Sequence, residues 1–371
     1  EQLKLINVTK PFLPPLDEII PSLESIWRSG VLTNNGPFEK KLEDALKTYL
    51  GVEHLSLVNN GTTGLMLALK ASSIVGEVIT TPYSFAATSN VLSWCNLTPR
   101  FVDITKEDLN INPAEIKSAI NEKTGAILAV HCYGNPCDTD SIESISKKHD
   151  LPIIYDACHA FGVKNNGKSL LANGDYSVVS FHATKVFNTF EGGVVVSSSA
   201  AKKKKIDDLK NFGFISEISV SDLGINGKLA EVNAALGLAQ LNHMPEILEK
   251  RSLVDSLYRD KLGDRKDMVC LPQFANQTKN YPYFPILITS DSKLSRDEIV
   301  DGMRLMGVNV RRYFYPLISE FQPYKEYTLL TRERCPNAYE ASLSVICLPI
   351  YPDLTTSEQS KVIDVLCGLL D

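Results

Sequence analysis

Residues 54–71 read HLSLVNNGTTGLMLALKA. The apolar run at 54–58 predicts a buried strand, Asn59-Asn60-Gly61 predicts a turn, and residues 63–71 have the composition of a helix. A strand, a tight turn and a helix in immediate succession are typical of α/β proteins. The stretch therefore indicates an α/β fold, and the same order is repeated in the residues that follow.

Short β-rich runs and helical runs alternate up to about residue 200. Further strands are predicted at 78–80, 100–104, 126–131, 153–156, 177–181 and 194–197, and helices at 84–95, 113–120 and 139–148. Apolar residues at steps of three and four also predict an amphipathic helix at 229–241. This alternation indicates a mostly parallel sheet with helices on both faces.

The pattern changes after about residue 245. A helix at 245–262 leads into a β-rich stretch at 283–288, followed by helix, strand and helix. We therefore expect a large domain at 1–245 and a smaller C-terminal α/β domain at 246–371. The residues before 40 are rich in Pro and Asn, and we expect them to form an N-terminal arm or loop.

Composition excludes several classes of protein. The 371 residues are 44% apolar and 22% charged, and no uncharged apolar run is long enough to span a membrane. With 38 basic and 44 acidic residues the net charge is −6, which argues against general nucleic-acid binding. The lysines at 202–205 are interpreted as a solvated helix face.

The cysteines and the first residues of the chain indicate the cellular compartment. The eight cysteines form no Cys-x-x-Cys pair, and the start of the chain lacks the apolar segment of a signal peptide. Both features favour reduced thiols and a cytoplasmic protein. The histidines show no spacing typical of metal ligands, so we expect no metal.

Residues 162–169, GVKNNGKS, match the phosphate-binding pattern G-x-x-x-x-G-K-[ST]. A P-loop requires a strand just before it and a full helix opening at its Lys-Ser pair. The predicted strand ends six residues earlier at Asp156, and only three residues separate Ser169 from the next turn. Asn166-Gly167 instead predicts a type I′ hairpin turn. A P-loop nucleotide hydrolase is kept as an alternative function.

Polar groups follow three of the predicted strands, where open α/β sheets bind ligands. Gly61 and Thr62 would open a helix whose N–H groups can hold an anion, although a simple helix cap explains them equally well. Asp156 ends an apolar strand, and a cap or a salt bridge is its structural alternative.

The third group is Lys185. It follows a strand in an apolar, aromatic segment bounded by glycines, where desolvation would lower the pKa of its amine. The alternative is a surface lysine in a loop. Together the three groups provide an anion site, a carboxylate for a cationic ring nitrogen and an amine for a carbonyl, and pyridoxal phosphate requires all three.

Beyond these groups, the chain resembles the DegT/DnrJ/EryC1/StrS family of nucleotide-sugar aminotransferases over nearly its whole length. The likeness lies in the order and spacing of NNGT (59–62), TPYSFAATSN (81–90), YDACHAFG (155–162), SFHATKVFNTFEGG (180–193) and NGKLAEVNAALGLAQL (226–241). The resemblance implies a fold-type-I pyridoxal-phosphate transferase, similar to aspartate aminotransferase.

The resemblance also implies roles for individual residues. Lys185 would be the Schiff-base lysine and Asp156 the partner of the pyridinium nitrogen. Phe85 would stack on the cofactor ring, and His159 would approach its phenolic oxygen. The remaining cofactor contacts implied are Gly61, Thr62 and Ser180 to the phosphate, and Asn233 to the phosphate from the second subunit of a homodimer with shared active sites. The sugar contacts implied are Thr33, Asn34, Asn35 and Tyr315.

The segment around the lysine indicates the reaction. SFHATK followed by EGG resembles family members that act at C4 of the sugar, whereas those acting at C3 commonly read SFYPGKNLG. The resemblance implies transfer of an amino group from L-glutamate, through the pyridoxamine phosphate form, to dTDP-4-keto-6-deoxy-D-glucose. The product would be dTDP-4-amino-4,6-dideoxy-D-glucose for O-antigen or other cell-surface polysaccharide synthesis.

Two alternatives remain open. A 3-ketosugar nucleotide is the alternative substrate, and a non-catalytic regulatory protein on the same scaffold is an alternative function. The family's sugar 3-dehydratases carry His in place of the lysine, so the presence of Lys185 argues against dehydration.

Overall fold

The computed structural model describes residues 5–371. Within them the α-helices are α1 (Leu16–Ser29), α2 (Pro37–Leu50), α3 (Gly61–Ala71), α4 (Ala87–Trp94), α5 (Pro113–Ala119), α6 (Thr139–His149), α7 (Ala200–Leu209), α8 (Glu231–Asn242), α9 (Met244–Leu262), α10 (Arg296–Leu305), α11 (Thr328–Arg334), α12 (Pro336–Ser344) and α13 (Thr356–Leu370). The strands are β1 (Leu55–Val58), β2 (Glu77–Thr80), β3 (Thr98–Phe101), β4 (Thr124–Val130), β5 (Ile153–Asp156), β6 (Lys164–Asn165), β7 (Lys168–Ser169), β8 (Tyr176–Ser180), β9 (Gly193–Ser197), β10 (Phe214–Ser216), β11 (Ser219–Val220), β12 (Met268–Cys270), β13 (Phe284–Ile288) and β14 (Val345–Leu348).

Seven strands form the central sheet in the order β1-β9-β8-β5-β4-β2-β3. β9 is antiparallel to both of its neighbours, and the other neighbouring strands are parallel. Consecutive residues of a strand enter different apolar cores. Leu57 of β1 and Val179 of β8 pack in one core, and their neighbours Val58 and Val178 pack in another. Because side chains alternate along a strand, the sheet is covered on both faces. The predicted α/β fold with a mostly parallel sheet is confirmed.

A second sheet lies in the C-terminal third of the chain. Its strands are antiparallel, in the order β12-β13-β14. It packs with α9, α10 and α13 around a separate apolar core that includes Tyr258, Phe284, Ile299 and Leu366. Ile6, far away in the sequence, also lies in this core and pairs with Val308. The division into domains at residue 245 stays a prediction.

The expectation of an arm or loop before residue 40 is wrong for about half of that segment. α1 and the start of α2 form helices there, whereas residues 7–15 and 30–36 are irregular. Ile19, Leu23 and Ile26 recur at the spacing of one helix face, and Ile26 is buried in the core against α8. Pro21 lies inside α1, and Gly30, with a φ of 66°, ends it. The frequent prolines hid this periodicity because proline usually marks a helix boundary.

Two smaller boundaries also differ from the sequence-based prediction. The third strand of the sheet lies at 98–101 rather than 100–104, because it pairs with β2 from Glu77 opposite Thr98 to Thr80 opposite Phe101. The helix predicted from residue 84 begins at Ala87. The hydroxyl of Ser84 is instead hydrogen-bonded to that of Thr88.

The segment that matches the P-loop pattern is a β-hairpin. Lys164 pairs with Ser169 and Asn165 with Lys168, in antiparallel register. Asn166 and Gly167 have φ angles of 50° and 77°, and positive φ at both central positions is what a type I′ turn requires. The hairpin prediction is confirmed, and the structure lacks the helix that a P-loop needs at this place in residues 5–371.

The lysine run at 202–205 lies on α7. Each of its lysines is paired with a carboxylate. Lys202 pairs with Asp175, Lys204 with Asp208 and Lys205 with Asp222. Lys203 pairs with both Glu43 and Asp207. The predicted helix is confirmed, but its lysines are ion-paired and only partly solvated, since the Lys203 side chain is 20% exposed. In residues 5–371, no helix combines the length and the apolarity needed to cross a bilayer.

Two variants of neighbouring residues test the hairpin conformation of residues 164–169. Gly167→Ala should lower the free energy of unfolding by about 1 kcal/mol, because alanine is strained at positive φ. No atom outside the turn lies within 4 Å of the added Cβ, so a clash does not contribute. Lys168→Ala should change the free energy of unfolding by less than about 0.5 kcal/mol. Urea unfolding of both variants measures this.

ATP with Mg²⁺, added to the parent protein and to Lys168→Ala, separates the hairpin from a P-loop. We expect no binding to either protein by calorimetry. Binding to the parent that is lost in Lys168→Ala would show that residues 162–169 hold a nucleotide.

Candidate active site

A cavity of about 500 Å³ opens where the strands of the central sheet end. Carboxyl ends of strands are the usual ligand site of open α/β sheets, and this volume suits a small molecule. Residues that line it include Gly61, Thr62, Phe85, Asp156, His159, Ser180, Lys185 and Tyr283.

The N-terminus of α3 forms one wall. The side chain of Asn60 caps the helix by accepting a hydrogen bond from the Thr63 N–H at 2.8 Å. Among the contacts of residues 5–371, none uses the N–H of Gly61 or Thr62. A Cβ at Gly61 would lie 3.0 Å from Cβ of Ser180, so the glycine keeps the helix end close to β8. The cap and the anion site are therefore compatible: the cap uses one N–H and leaves two free for an anion.

Asp156, the last residue of β5, is 6% exposed and held by two donors. One carboxylate oxygen accepts a hydrogen bond from the Thr88 hydroxyl at 2.8 Å. The other accepts one from the Cys158 N–H at 3.2 Å. Burial and the nearby carboxylate raise the pKa of the Cys158 thiol well above its ordinary value, so this sulfur is present as a thiol.

Lys185 lies in the loop after β8, and its amine is 3.5 Å from the hydroxyl of Tyr283. Burial is the largest influence on the pKa of Lys185 and lowers it, as the sequence indicated. The hydrogen bond to Tyr283 and the carboxylate of Asp156 favour the ammonium form and outweigh burial. The pKa of Lys185 is therefore raised, and the predicted lowering is wrong.

His159 lies beside the same tyrosine. Its Nε2 is 3.5 Å from the Tyr283 hydroxyl, and its ring stacks on Phe314 with an interplanar angle of 7°. Burial, followed by the positive charge of Lys185, lowers the pKa of His159 well below its ordinary value. The imidazole is therefore neutral at neutral pH. Its Nδ1 is buried and has no hydrogen-bond partner among the described residues.

Most of the residues expected to bind a cofactor are brought together by the fold. They all line the cavity: Gly61, Thr62, Phe85, Asp156, His159, Ser180 and Lys185. Phe85 is 61% exposed. Their roles toward a cofactor stay predictions.

Asn233 and the expected sugar contacts lie outside this cavity of their own chain. The amide of Asn233 donates to the carbonyl oxygens of Thr189 and Glu191, at 2.7 and 2.9 Å. Asn34 and Asn35, which follow Thr33, line a separate charged cavity that includes Lys210 and Lys228. Tyr315 stacks under the guanidinium of Arg296 at 4.4 Å.

Sequence reasoning missed several residues of the cavity. Tyr283, Tyr313 and Phe314 line it from the C-terminal third of the chain. No role was predicted for Thr88, which lies in the stretch 81–90, although its hydroxyl orients the carboxylate of Asp156. No metal-binding group of three or more His, Cys, Asp or Glu occurs among residues 5–371.

Comparison with known proteins identifies the family of the chain. The family model described as the DegT/DnrJ/EryC1/StrS aminotransferase family matches residues 16–367. A dTDP-4-amino-4,6-dideoxy-D-glucose transaminase of Shigella dysenteriae is 49% identical over 365 residues, which cover 98% of this chain and 98% of that protein.

Solved structures are similar over the same length. The crystal structure of DesI in the presence of its TDP-sugar product is 30% identical, with a TM-score of 0.92 over 99% of this chain and 93% of that chain. NtdA from Bacillus subtilis with bound cofactor PMP is 25% identical, with a TM-score of 0.88 over 96% of this chain and 82% of that chain. The arrangement of lysine, carboxylate and helix N-terminus thus occurs in a chain that belongs to the DegT/DnrJ/EryC1/StrS aminotransferase family.

Proposed function

We propose that this aminotransferase uses pyridoxal phosphate to move the amino group of L-glutamate to C4 of dTDP-4-keto-6-deoxy-D-glucose. The products are 2-oxoglutarate and dTDP-4-amino-4,6-dideoxy-D-glucose. The observation that carries the proposal is the meeting of Lys185, Asp156 and the N-terminus of α3 in one cavity. The name of the 49% identical relative supports the choice of sugar.

The residues present fit the cofactor. The free N–H groups of Gly61 and Thr62, with the hydroxyls of Thr62 and Ser180, are donors for a phosphate. The unpaired and buried Nδ1 of His159 is available to a polar group of the ligand. Phe85, exposed on the cavity wall, offers an aromatic face.

Each side chain then has a distinct task. Bound pyridoxal phosphate supplies an electrophilic carbon and an electron sink. Asp156 holds a proton on the ring nitrogen by charge pairing, and Thr88 and the Cys158 N–H keep its carboxylate in place. Lys185 would carry protons at its Nζ: it would take one from the amino-acid carbon in the first half of the reaction and give one to the sugar carbon in the second.

We also propose a homodimer with shared active sites. Asn233 does not line the cavity of its own chain, so its expected contact with the phosphate requires a second subunit. Large apolar side chains are exposed near it and on the β10–β11 hairpin, as Phe190 (49%), Ile215 (51%), Ile218 (95%) and Val232 (38%). Such an apolar surface is typical of a protein–protein interface.

The unpaired state of all eight cysteines supports a cytoplasmic location.

The substrate prediction is tested by offering ketosugars to the purified protein with glutamate. The protein should be yellow, and glutamate should bleach the colour. Mass spectrometry should find an amino sugar from dTDP-4-keto-6-deoxy-D-glucose, formed at least about a hundredfold faster than from the 3-keto isomer. Faster amination of the 3-keto isomer would assign the enzyme to the alternative substrate, and a colourless protein that binds ATP would support a hydrolase.

Lys185→Ala should lose both the yellow species and turnover. We expect the rate to fall by about 10⁴-fold or more, because the nucleophilic amine and the proton carrier disappear together. Borohydride reduction followed by peptide mass spectrometry should label Lys185 in the parent protein and not in the variant. Near-normal turnover in the variant would contradict the role of this lysine.

The same variant also tests for shared sites. Mixing Lys185→Ala with Asn233→Ala should restore activity, because one site of each hybrid dimer has both native groups. Failure to recover, with subunit exchange verified by native mass spectrometry, would exclude Asn233 from the partner's site.

Asp156→Asn keeps the shape of the side chain and removes its charge. Cofactor content should stay near that of the parent, while turnover should fall about a hundredfold or more, because the ring nitrogen loses its counter-charge. The matched variant Thr88→Val keeps the charge and removes one hydrogen bond, so turnover should fall only about tenfold. Absorbance and steady-state rates measure the two quantities. A loss of cofactor in proportion to the loss of turnover would assign Asp156 to binding alone.

A further inference from the structure

Tyr283 lies between the amine of Lys185 and the imidazole of His159, two groups that are distant from it in the sequence. It immediately precedes β13, in the three-stranded sheet, whereas Lys185 and His159 follow strands of the central sheet. Its hydroxyl oxygen is 3.5 Å from Nζ of Lys185 and 3.5 Å from Nε2 of His159. The ring of Tyr283 also lies 6.0 Å from Nζ and edge-on to the imidazole, but its hydroxyl is the group that can form hydrogen bonds with both.

The hydrogen-bonding capacity of the three groups allows two arrangements. A phenol hydroxyl can donate one hydrogen bond and accept others, an ammonium only donates, and a neutral imidazole has one donor and one acceptor nitrogen. When Lys185 is an ammonium, the hydroxyl accepts from Nζ and donates to Nε2 of His159. When the amine is neutral, the hydroxyl can donate to Nζ and accept from a protonated Nε2.

The first arrangement places the imidazole hydrogen on Nδ1 of His159. This is the nitrogen that is buried and has no partner among residues 5–371. A polar atom of the bound cofactor would satisfy it, and the other arrangement leaves Nδ1 as an acceptor. Each arrangement therefore gives Lys185 a partner suited to its protonation state.

We propose that Tyr283 is a positioning residue whose hydroxyl holds the Lys185 amine in both of its protonation states, with His159 as the complementary partner. The inference rests on the proposed function, in which Nζ alternates between ammonium and amine. The tyrosine keeps its proton on the oxygen in both arrangements. The change between them is a change of His159 tautomer, in which one proton leaves Nδ1 and another is taken up at Nε2, by exchange with solvent or with a polar group of the ligand.

Several ionisable groups face Lys185 and enter any pH dependence. Those from the end of β5 and the segment after it are Asp156, Cys158 and His159, those from its own loop are His182 and Glu191, and those from the C-terminal third are Tyr283 and Tyr313. The hydroxyl of Tyr283, 3.5 Å from Nζ, accepts a hydrogen bond from the ammonium form of Lys185 and so helps to raise the pKa of the amine. Loss of that hydroxyl should lower the pKa of the amine.

Tyr283→Phe removes one oxygen atom and keeps the ring, which packs edge-on against Tyr133 and His159. The first measurement uses cofactor-free protein: the rate of pyridoxal phosphate capture at Lys185 between pH 7 and pH 9, trapped by borohydride and counted by peptide mass spectrometry. Below the pKa of the amine, this rate follows the fraction of neutral amine.

The variant should capture pyridoxal phosphate about tenfold faster at each pH, which corresponds to a displacement of about one pH unit toward lower pH. Turnover of the loaded enzyme should change in the opposite direction. We expect kcat to fall about tenfold or more, with KM for the ketosugar changed less than about threefold, because the amine is less well held during proton transfer.

Tyr133→Phe is the matched control. Its ring contacts that of Tyr283, but its hydroxyl bonds to Tyr83 and to the carbonyl of Tyr313. This variant should leave the pH dependence of capture unchanged. Wild-type capture rates in Tyr283→Phe, or an equal displacement in Tyr133→Phe, would overturn the role of Tyr283. Absence of capture at Lys185 in the parent protein would instead overturn the proposed function, and this inference with it.

Discussion

The close contact at Gly193 is the constraint on which the site depends. Gly193, the first residue of β9, pairs with Val58 of β1 on one side and with Ser180 of β8 on the other. A Cβ at this position would lie 2.8 Å from the Val179 carbonyl oxygen and 3.0 Å from the Gly61 nitrogen. Any other residue would force β9 away from the turn that opens α3. The N-terminus of α3 and Ser180 share a cavity because nothing separates them at this point.

The three central groups of the site could be predicted from the sequence. Gly61 and Lys185 follow buried strands and Asp156 ends one, and parallel strands place their carboxyl ends at one edge of the sheet. Local pattern and this single rule bring the three together without knowledge of the remaining packing. The same kind of local reasoning predicts a hairpin at residues 162–169, since the turn at Asn166-Gly167 favours a hairpin over a helix.

Features that depend on distant packing could not be predicted in this way. Tyr283 and Phe314 reach the cavity from the C-terminal third of the chain, and in the sequence they are indistinguishable from core aromatics. The direction of the Lys185 pKa shift has the same origin. Local composition shows the burial that lowers this pKa, but the partners that raise it come from other elements. The helix α1 was missed for a different reason, because Pro21 conceals a regular apolar face.

The distribution of charge in the cavity connects anion binding with proton transfer. Among the described residues that line it, none is an arginine, and the basic side chains are Lys185, His159 and His182. His159 is neutral because burial lowers its pKa, so it offers a phosphate no charge. A phosphate at the N-terminus of α3 would therefore be held by backbone N–H groups, hydroxyls and the helix dipole. The charge of Lys185 is then not committed to that anion, and the amine keeps the freedom to gain and lose a proton that transamination demands of it.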